Sequence, residues 1–503
     1  MNLRIYNSLS RQKEEFVPLV DGEVKMYVCG VTVYDLCHLG HARAYVVWDT
    51  VRRYLSRHYQ VTYVQNITDI DDKILNRAQE HSLTMQQVSD RFIQEYAIDM
   101  EKLNILPADH SPRATAYIPQ IISMTEAIQA QGYAYFAQGD VYYAVERFKS
   151  YGKLSGRKLS DLQAGASGRV EDDGSKSCPF DFALWKGAKP GEPAWDSPWG
   201  RGRPGWHIEC SAMVRAVLGD QIDIHAGGAD LQFPHHENEI AQSEVVTGKP
   251  LANYWMHNGF VNIENAVGEV EKMSKSLNNF KTIRSLLEIY SPMVIRLFIL
   301  QSHYRQPISF SESAIAATSK GWETINQALL FRQDFGESLG WKNFAPKSES
   351  ELQSSCAEFE QGMADDFNSP VALAVIFQIA KTLRAERNNL KNGAALKRSP
   401  QDLWQAWQEL KYMCDTLGLV GYEAAQTGHP ALVNIVASTG RVSSSPADQT
   451  QKIETMIEQR LAAKQAKNYA EADRIRQQLS EMGVIITDRK DGSTQWQLGT
   501  LPR

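Results

Sequence analysis

Long apolar runs are missing from this chain. No stretch of about 18 uninterrupted apolar residues exists to span a bilayer, and the opening Met-Asn-Leu-Arg-Ile-Tyr-Asn lacks the apolar core of a secretory signal. A cytoplasmic protein with no membrane partner is the expectation. Excess positive charge is missing too: the formal net charge is −6 over 503 residues, which argues against a protein that coats nucleic acid indiscriminately but leaves room for a local basic face. Cysteine is scarce, with six residues at 29, 37, 178, 210, 356 and 414, no C-x-x-C pair and none of the dense spacing of a disulfide scaffold. Reduced thiols are expected, some of them metal ligands. Internal repeats are absent. The 43% hydrophobic and 22% charged content is that of an ordinary soluble protein, and its length exceeds one core, so about two to four domains are expected.

What is present is organised around residues 27–43, YVCGVTVYDLCHLGHAR. A buried strand over 24–28 is expected to end in Cys29-Gly30, followed by a short loop and by His38-Leu39-Gly40-His41 opening an amphipathic helix. Strand, glycine turn and helix N-terminus together make an anion site, because unpaired backbone N–H groups and the positive end of the helix dipole face the loop. Phosphate is expected there, among Gly30, His38, Gly40 and His41. Two histidines three apart suit that role, and they equally suit a helix cap or a core.

Residues 24–66 read as strand, helix, strand (VKMYVC, HARAYVVWDTVRRYLSRH, QVTYVQNI), a βαβ unit that implies a parallel sheet with its crevice at the carboxyl ends of the strands. An acidic turn, Asn66 to Lys73, leads into a helix. Residues 84–131 read as helices broken near Pro107 and Pro112, and YAYFAQGDVYYAV as a hairpin about Gln138-Gly139-Asp140. The Gly-, Pro- and Ser-rich segment 162–203 is expected to form long loops. Trp206 starts a helix reaching about Leu218, QIDIHA is a strand, and Gly227-Gly228-Ala229-Asp230 turns the chain toward His235-His236-Glu237-Asn238-Glu239. Asp230 there either meets a ribose hydroxyl or caps the turn. Residues 282–418 read as a helix bundle, 421–448 as a linker, 450–482 as helices, and GVIITD with STQWQL as two strands joined through Asp491-Gly492.

Much later than HLGH comes Glu271-Lys272-Met273-Ser274-Lys275-Ser276. Alone, KMSKS is a solvated basic loop; HLGH followed by KMSKS resembles the paired signatures of class I aminoacyl-tRNA synthetases. CGVTVYD, NITDIDDKI, GWHIECSAM, GGADLQFPHHENEIAQS and MADDFNSPVAL resemble the cysteinyl-tRNA synthetase family over most of residues 20–375. Val31 departs from the pattern, which usually has proline after Cys-Gly.

The resemblance implies a Rossmann-like doubly wound parallel α/β sheet over 1–280, with an acceptor-end-binding insertion at about 110–200, then a helical bundle over 281–420, a linker over 421–449 and a small α+β anticodon-binding domain over 450–503. It implies a monomeric ligase that activates cysteine with ATP, accompanied by Mg2+, and transfers it from cysteinyl-adenylate to the 3′ end of tRNA(Cys). His38, His41, Lys272 and Lys275 would serve the phosphates, and Asp230 the ribose. Cys29, Cys210, His235 and Glu239 would hold one Zn2+, a soft-to-borderline donor set. His235 and Glu239, four apart, would share a helix face, but without C-x-x-C the spacing alone is weak evidence. His236, one position round, would support the site from behind. The metal's purpose would be selection: pocket shape separates near-isosteres by only about 1–3 kcal/mol, whereas zinc favours a thiolate over an alcohol. Thr68 and Trp206 would line the amino-acid pocket, or be a cap and a core ring. Cys37, Cys178, Cys356 and Cys414 would be structural thiols. In the tail Lys464, Tyr469, Asp473 and Asp488 would meet tRNA, or belong to a salt-bridged helix face. Rival readings are an ATP-dependent cysteine ligase acting on a sugar amine, as in mycothiol synthesis, and a non-catalytic RNA-binding relative.

Overall fold

The computed structural model describes residues 2–159, 176–264, 270–272 and 280–421, isolated positions between 457 and 476, and two strands of the tail. The chain divides into two compact units, 1–432 and 433–503. Among the described residues no helix is long and apolar enough to cross a membrane.

The first unit opens with an antiparallel hairpin, β1 (Arg4–Asn7) and β2 (Gln12–Glu15). The βαβ unit follows as β3 (Glu23–Thr32), α1 (Leu39–Leu55) and β4 (Gln60–Thr68), the two strands running parallel. Val24, Met26, Tyr27 and Val28 are fully buried, which is why this stretch reads as continuously apolar. The expected end at Cys29-Gly30 needs correcting: β3 runs on to Thr32, with its register to β4 shifting between Val28 and Val31. Asn66 is the cause. Its Oδ1 accepts the Gly30 N–H at 2.7 Å, and a Cβ on Gly30 would lie 1.5 Å from the Asn66 carbonyl oxygen, so only glycine permits the approach. Val31 is therefore strand, opposite Ile67.

Next come α2 (Asp72–Glu80), capped by Asp71, α3 (Met85–Lys102), opened by a Thr84/Gln87 capping box, and α4 (Ile118–Ala130). β5 (Ala134–Ala137) and β6 (Asp140–Tyr143) form the expected hairpin, with Gln138 and Gly139 at φ of 51° and 95° as a two-residue turn. The loop reading of 162–203 is corrected in part. β7 (Phe182–Gly187) and β8 (Gly202–Pro204) complete a four-stranded antiparallel sheet in the order β5-β6-β7-β8; residues 160–175 lie outside the described set. Strands this short draw their stability from distant partners and the core around Tyr143, Leu184 and Trp185, which a local reading does not see.

The main sheet resumes with α5 (Trp206–Leu218), β9 (Ile222–Gly228), α6 (Glu237–Thr247) and β10 (Ala252–Asn258), giving a parallel sheet in the order β10-β9-β3-β4. From β3 the chain steps outward to β4, then returns to β9 on the other side of β3. The strand order reverses between β3 and β9, and open α/β sheets bind ligands beyond the carboxyl ends at such a point. A small sheet of β11 (Val261–Glu264), β12 (Val270–Lys272) and β13 (Ile308–Phe310) follows. The rest of the unit is helical: α7 (Ile283–Leu287), α8 (Pro292–Leu300), α9 (Glu312–Leu329), α10 (Phe331–Phe335), α11 (Glu349–Ser355), α12 (Ala357–Ala364), α13 (Ser369–Lys391) and α14 (Pro400–Thr416). In the second unit β14 (Val484–Asp488) pairs antiparallel with β15 (Thr494–Leu498). Most of the expected linker, 422–449, lies outside the described residues.

Helix α1 is fastened to the helical part by buried charge. The Arg296 guanidinium donates to Asp49, to Leu417 O at 2.7 Å and to Leu103 O at 3.0 Å, while Arg53 reaches the same Asp49 carboxylate at 2.8 Å. Burial pushes the Asp49 carboxyl up, but Arg53 and Arg296 outweigh it and hold it below its ordinary value. A folded pKa below the unfolded one means stability that is present at neutral pH and lost as pH falls through the folded value. Asp49→Ala strands a fully buried guanidinium and is expected to cost about 3–5 kcal/mol. Asp196→Ala, at the exposed Arg201–Asp196 pair, is expected to cost under about 1 kcal/mol. Melting temperatures of the two variants check this; equal shifts would sink it.

Candidate functional site

At the carboxyl edge of β3 and β9 four elements converge. Cys29 follows Val28 in β3, and Tyr27 of that strand lies opposite His225 of β9, so alternation places Tyr27, Cys29 and His225 toward one face. Helix α5 carries Trp206, Glu209 and Cys210, which at i, i+3 and i+4 share a side. Glu239 stands in the first turn of α6. His235 is not on that helix; it lies in the wide turn Gln232–His236 that leads into it, yet its Nε2 is 3.1 Å from Glu239 Oε1. Gly227 leaves the space: a Cβ there would meet His236 Cε1 at 2.9 Å.

The structure brings Cys29, Cys210, His235 and Glu239 together, with donor atoms all within 4.8 Å of one another and every residue buried. Cys29, His225, His236 and Glu239 form a second, overlapping group under the same limits. His225 Nε2 is 2.9 Å from Glu239 Oε2, His236 Nε2 is 3.2 Å from Cys29 Sγ, and His207 Nδ1 is 2.9 Å from His235 Nδ1. Behind them His236 Nδ1 meets His257 Nε2 at 2.8 Å, and His257 Nδ1 meets Ser8 Oγ at 2.8 Å. His236, expected to support the site from behind, touches Cys29 directly. His207, His225 and His257 were passed over, because a histidine inside an apolar strand, or next to a tryptophan, leaves no periodic mark.

Electrostatics follow from burial and pairing. Burial opposes the Glu239 carboxylate, but His225 and His235 outweigh it and bring its pKa to about 2. Burial likewise opposes the His235 imidazolium, and Glu239 with Cys210 outweighs it, to about 10. Burial pushes the Cys29 thiol well up, while its hydrogen bond to Cys210 draws that thiol down to about 6. His236 is held well below its ordinary value and His257 at about 3, chiefly by burial, so both are neutral. Two thiols, an imidazole and a carboxylate, three of them braced from behind by His236, His207 and His225, are a donor set that suits zinc.

The phosphate motif lies at the start of α1. His38 caps the helix, its Nδ1 accepting the Gly40 N–H at 3.1 Å, and His41 Nδ1 accepts the His38 N–H at 3.1 Å. Capping and phosphate contact are therefore compatible: with Nδ1 accepting, a neutral ring carries its proton on Nε2, the tautomer that donates to an anionic oxygen. The motif is tied to the stretch after KMSKS. Leu39 N–H donates to Lys281 O at 2.9 Å, Ile283 N–H donates to Cys37 O at 2.8 Å, and His38 bridges Thr282. Lys272 ends β12, paired in register with Asn262; Lys275 lies outside the described residues, as do Lys464, Tyr469 and Asp473, and of Asp488 only the strand position is described.

Around the donor group, the Trp206 ring lies 4.4 Å from that of His235. Thr68, buried at the end of β4, donates to Glu209, whose carboxyl burial pushes well above its ordinary value. Asp230 is exposed in the turn after β9, its carboxylate over Gly228, where a Cβ would lie 2.5 Å from Oδ1. Cys37, Cys356 and Cys414 are buried, Cys178 half-buried, and all six thiols are free.

Comparison with known proteins agrees with this architecture. A profile for the tRNA synthetases class I (C) catalytic domain matches residues 15–320, and a DALR domain profile matches 358–421. Mycobacterium tuberculosis methionyl-tRNA synthetase in complex with methionyl-adenylate superposes with a TM-score of 0.55 at 14% identity, covering 84% of this chain and 97% of that one. The fold is that of a class I aminoacyl-tRNA synthetase. A profile for the cysteinyl-tRNA ligase anticodon binding domain matches 447–496. The cysteine–tRNA ligase of Gloeothece citriformis is 54% identical over 502 residues and that of Gloeobacter violaceus 52% over 502, each covering 99% of both chains. The chain belongs to the cysteine–tRNA ligase family.

Metal content separates the roles of these residues. Glu239→Ala and Cys210→Ser are expected to lose bound zinc, while His225→Ala and His207→Ala are expected to keep the site but bind zinc about 10–100-fold more weakly. Unchanged zinc content in the first pair would remove those residues from the site.

Proposed function

We propose that the chain attaches cysteine to tRNA in two steps, the first driven by ATP, acting as a cytoplasmic monomer. The observation that carries this reading is the placement of the buried Cys29/Cys210/His235/Glu239 group at the β3/β9 switch point of a class I sheet whose HLGH loop is bonded to the segment after KMSKS. In the first step a carboxylate oxygen of cysteine attacks the α-phosphorus of ATP, and the bond to pyrophosphate breaks. In the second a ribose hydroxyl at the 3′ end of tRNA attacks the acyl carbon, and AMP leaves.

Little covalent chemistry falls to the protein; positioning and charge stabilisation supply the rate. His38 and His41, held in orientation by their capping bonds, would donate to phosphate oxygens beside the helix N-terminus, with Gly30 and Gly40 contributing backbone to the same anion site. Lys272 and Lys275 would close on the phosphates, Lys275 making the direct contact, and Asp230 would accept from the ribose. Mg2+ would come with ATP, since the nucleotide's own oxygens supply its ligands. Cys29, Cys210, His235 and Glu239 would hold zinc, which favours a thiolate over a protonated alcohol and so separates cysteine from serine. Trp206 would wall the amino-acid pocket over His235, and Thr68 would close its other end beside Glu209. The tail over 450–503, with Lys464, Tyr469, Asp473 and Asp488, would grip the anticodon end.

ATP-dependent attachment of labelled cysteine to total tRNA, with serine as control, tests the reading. Charging by cysteine alone is expected; cysteine-dependent pyrophosphate exchange with no charging would favour the sugar-amine ligase instead. Lys275→Ala is expected to slow adenylate formation by about 10²–10³-fold while leaving the melting temperature unchanged.

A further inference from the structure

The carboxyl of Glu209 is 1% exposed, and its Oε2 has no hydrogen-bond partner among the described residues. Buried polar atoms are nearly always satisfied, because an unmet one carries its full desolvation cost. Two other carboxyls, of Asp69 and Asp71, stand close enough to add negative potential there. Both are engaged elsewhere. Asp69 accepts the Thr115 N–H at 2.9 Å on Oδ1 and the Thr115 hydroxyl at 2.5 Å on Oδ2, and Asp71 caps α2 by accepting the Lys73 N–H at 2.9 Å. Of the three, Glu209 is the one with an unmet oxygen inside the protein.

Its surroundings fix what that oxygen can take. Gly30 N–H donates to Asn66 Oδ1 at 2.7 Å, so the Asn66 amide turns its Nδ2 toward Thr68, whose Oγ1 it reaches at 3.3 Å. With that lone pair filled, the Thr68 hydroxyl sends its hydrogen to Glu209. The donors are thereby used up inside the wall, and what it presents as a carboxylate is oxygen lone pairs: the second one of Thr68 and those of Glu209 Oε2. The complement of such a wall is a group with several donors and no acceptor, and a protonated primary amine is that group. An ammonium is also the partner that lets a buried carboxylate keep its charge, since each ion offsets the other out of water.

Position agrees with chemistry. The same turn of α5 that sends Cys210 to the donor group sends Glu209 to Thr68 at the end of β4. Cysteine carries its sulfur and its nitrogen on adjacent carbons, so a pocket that takes the sulfur beside Cys210 needs its ammonium acceptor within one residue's reach. We propose that Glu209, together with Thr68, holds the α-ammonium of the substrate and so restricts the pocket to thiols that bear a free amine. The inference rests on the functional reading above.

The probes are cysteamine, a thiol with an ammonium and no carboxylate, and ethanethiol, the same thiol without the ammonium, each titrated as an inhibitor of cysteine-dependent pyrophosphate exchange. Neither can be activated. The parent protein is expected to bind cysteamine about tenfold or more tightly than ethanethiol. Glu209→Gln is expected to raise the KM for cysteine and the inhibition constant of cysteamine together, by about 10–100-fold, and to leave ethanethiol inhibition, zinc content and the KM for ATP at parent values. Thr68→Val, which leaves the neighbour of Cys210 untouched, is expected to narrow the same gap, and it is read in place of Glu209→Gln if that variant loses zinc or its fold. Equal weakening of cysteamine and ethanethiol, or no change in either, overturns the proposal and leaves Glu209 a packing group behind Cys210. A parent protein that shows no cysteine-dependent exchange overturns the functional reading and this one with it.

Discussion

A buried carboxylate braced by two imidazoles is the interaction on which this molecule turns. Glu239 is 0% exposed, and an isolated carboxylate there would be driven to take up a proton. His225 on one oxygen and His235 on the other reverse that, and the charge persists. Keeping it demands that β9, the turn before α6 and α6 itself hold their places to within hydrogen-bond tolerance. The same demand places Cys29, because β3 is paired to β9 in register through Tyr27 and Val28. A sheet edge that would otherwise be a generic α/β crevice becomes a site with fixed donors.

The phosphate motif shows the same economy of means on a smaller scale. Its two histidine rings take the N–H groups of Gly40 and His38 at the start of α1, part of an obligation any helix start must meet. Meeting it through Nδ1 leaves a defined tautomer, so the structural role sets up the chemical one. The bonds from Leu39 to Lys281 and from Ile283 to Cys37 then join the motif to a stretch some 240 residues later in the chain. A stretch remote in sequence becomes the motif's neighbour through main-chain hydrogen bonds.

Those parts of the molecule with local causes were legible in the sequence. The apolar run of β3, the alternation into α1 and the two-residue turn at Gln138-Gly139 are each written in adjacent residues. β7 and β8 were not, because strands of six and three residues exist only by virtue of partners elsewhere. The extension of β3 past Cys29 was missed for a similar reason: it needs Asn66, on the neighbouring strand, to bond Gly30. Cys29, Cys210, His235 and Glu239 were selected by family resemblance, since their spacing says little; the structure supplies the proximity. His225 and His257 fell between the two methods. A lone histidine in a buried strand has neither a periodicity to mark it nor a motif to name it.

Two overlapping donor groups leave a choice that chemistry decides. Both contain Cys29 and Glu239; one adds Cys210 and His235, the other His225 and His236. We assign the proposed zinc to the first. It offers two sulfur donors instead of one, and Cys210 is the thiol already drawn down to about 6, closest to the deprotonated form a metal requires. His225 is better placed as a brace, bonded to the Glu239 oxygen that the His235 side leaves over. His236, neutral and bonded through Nδ1 to His257, can donate from Nε2 to Cys29 Sγ, which stabilises a thiolate without competing for the ion. The second group then reads as the outer layer of the first, and removing one of its histidines should weaken the metal without displacing it.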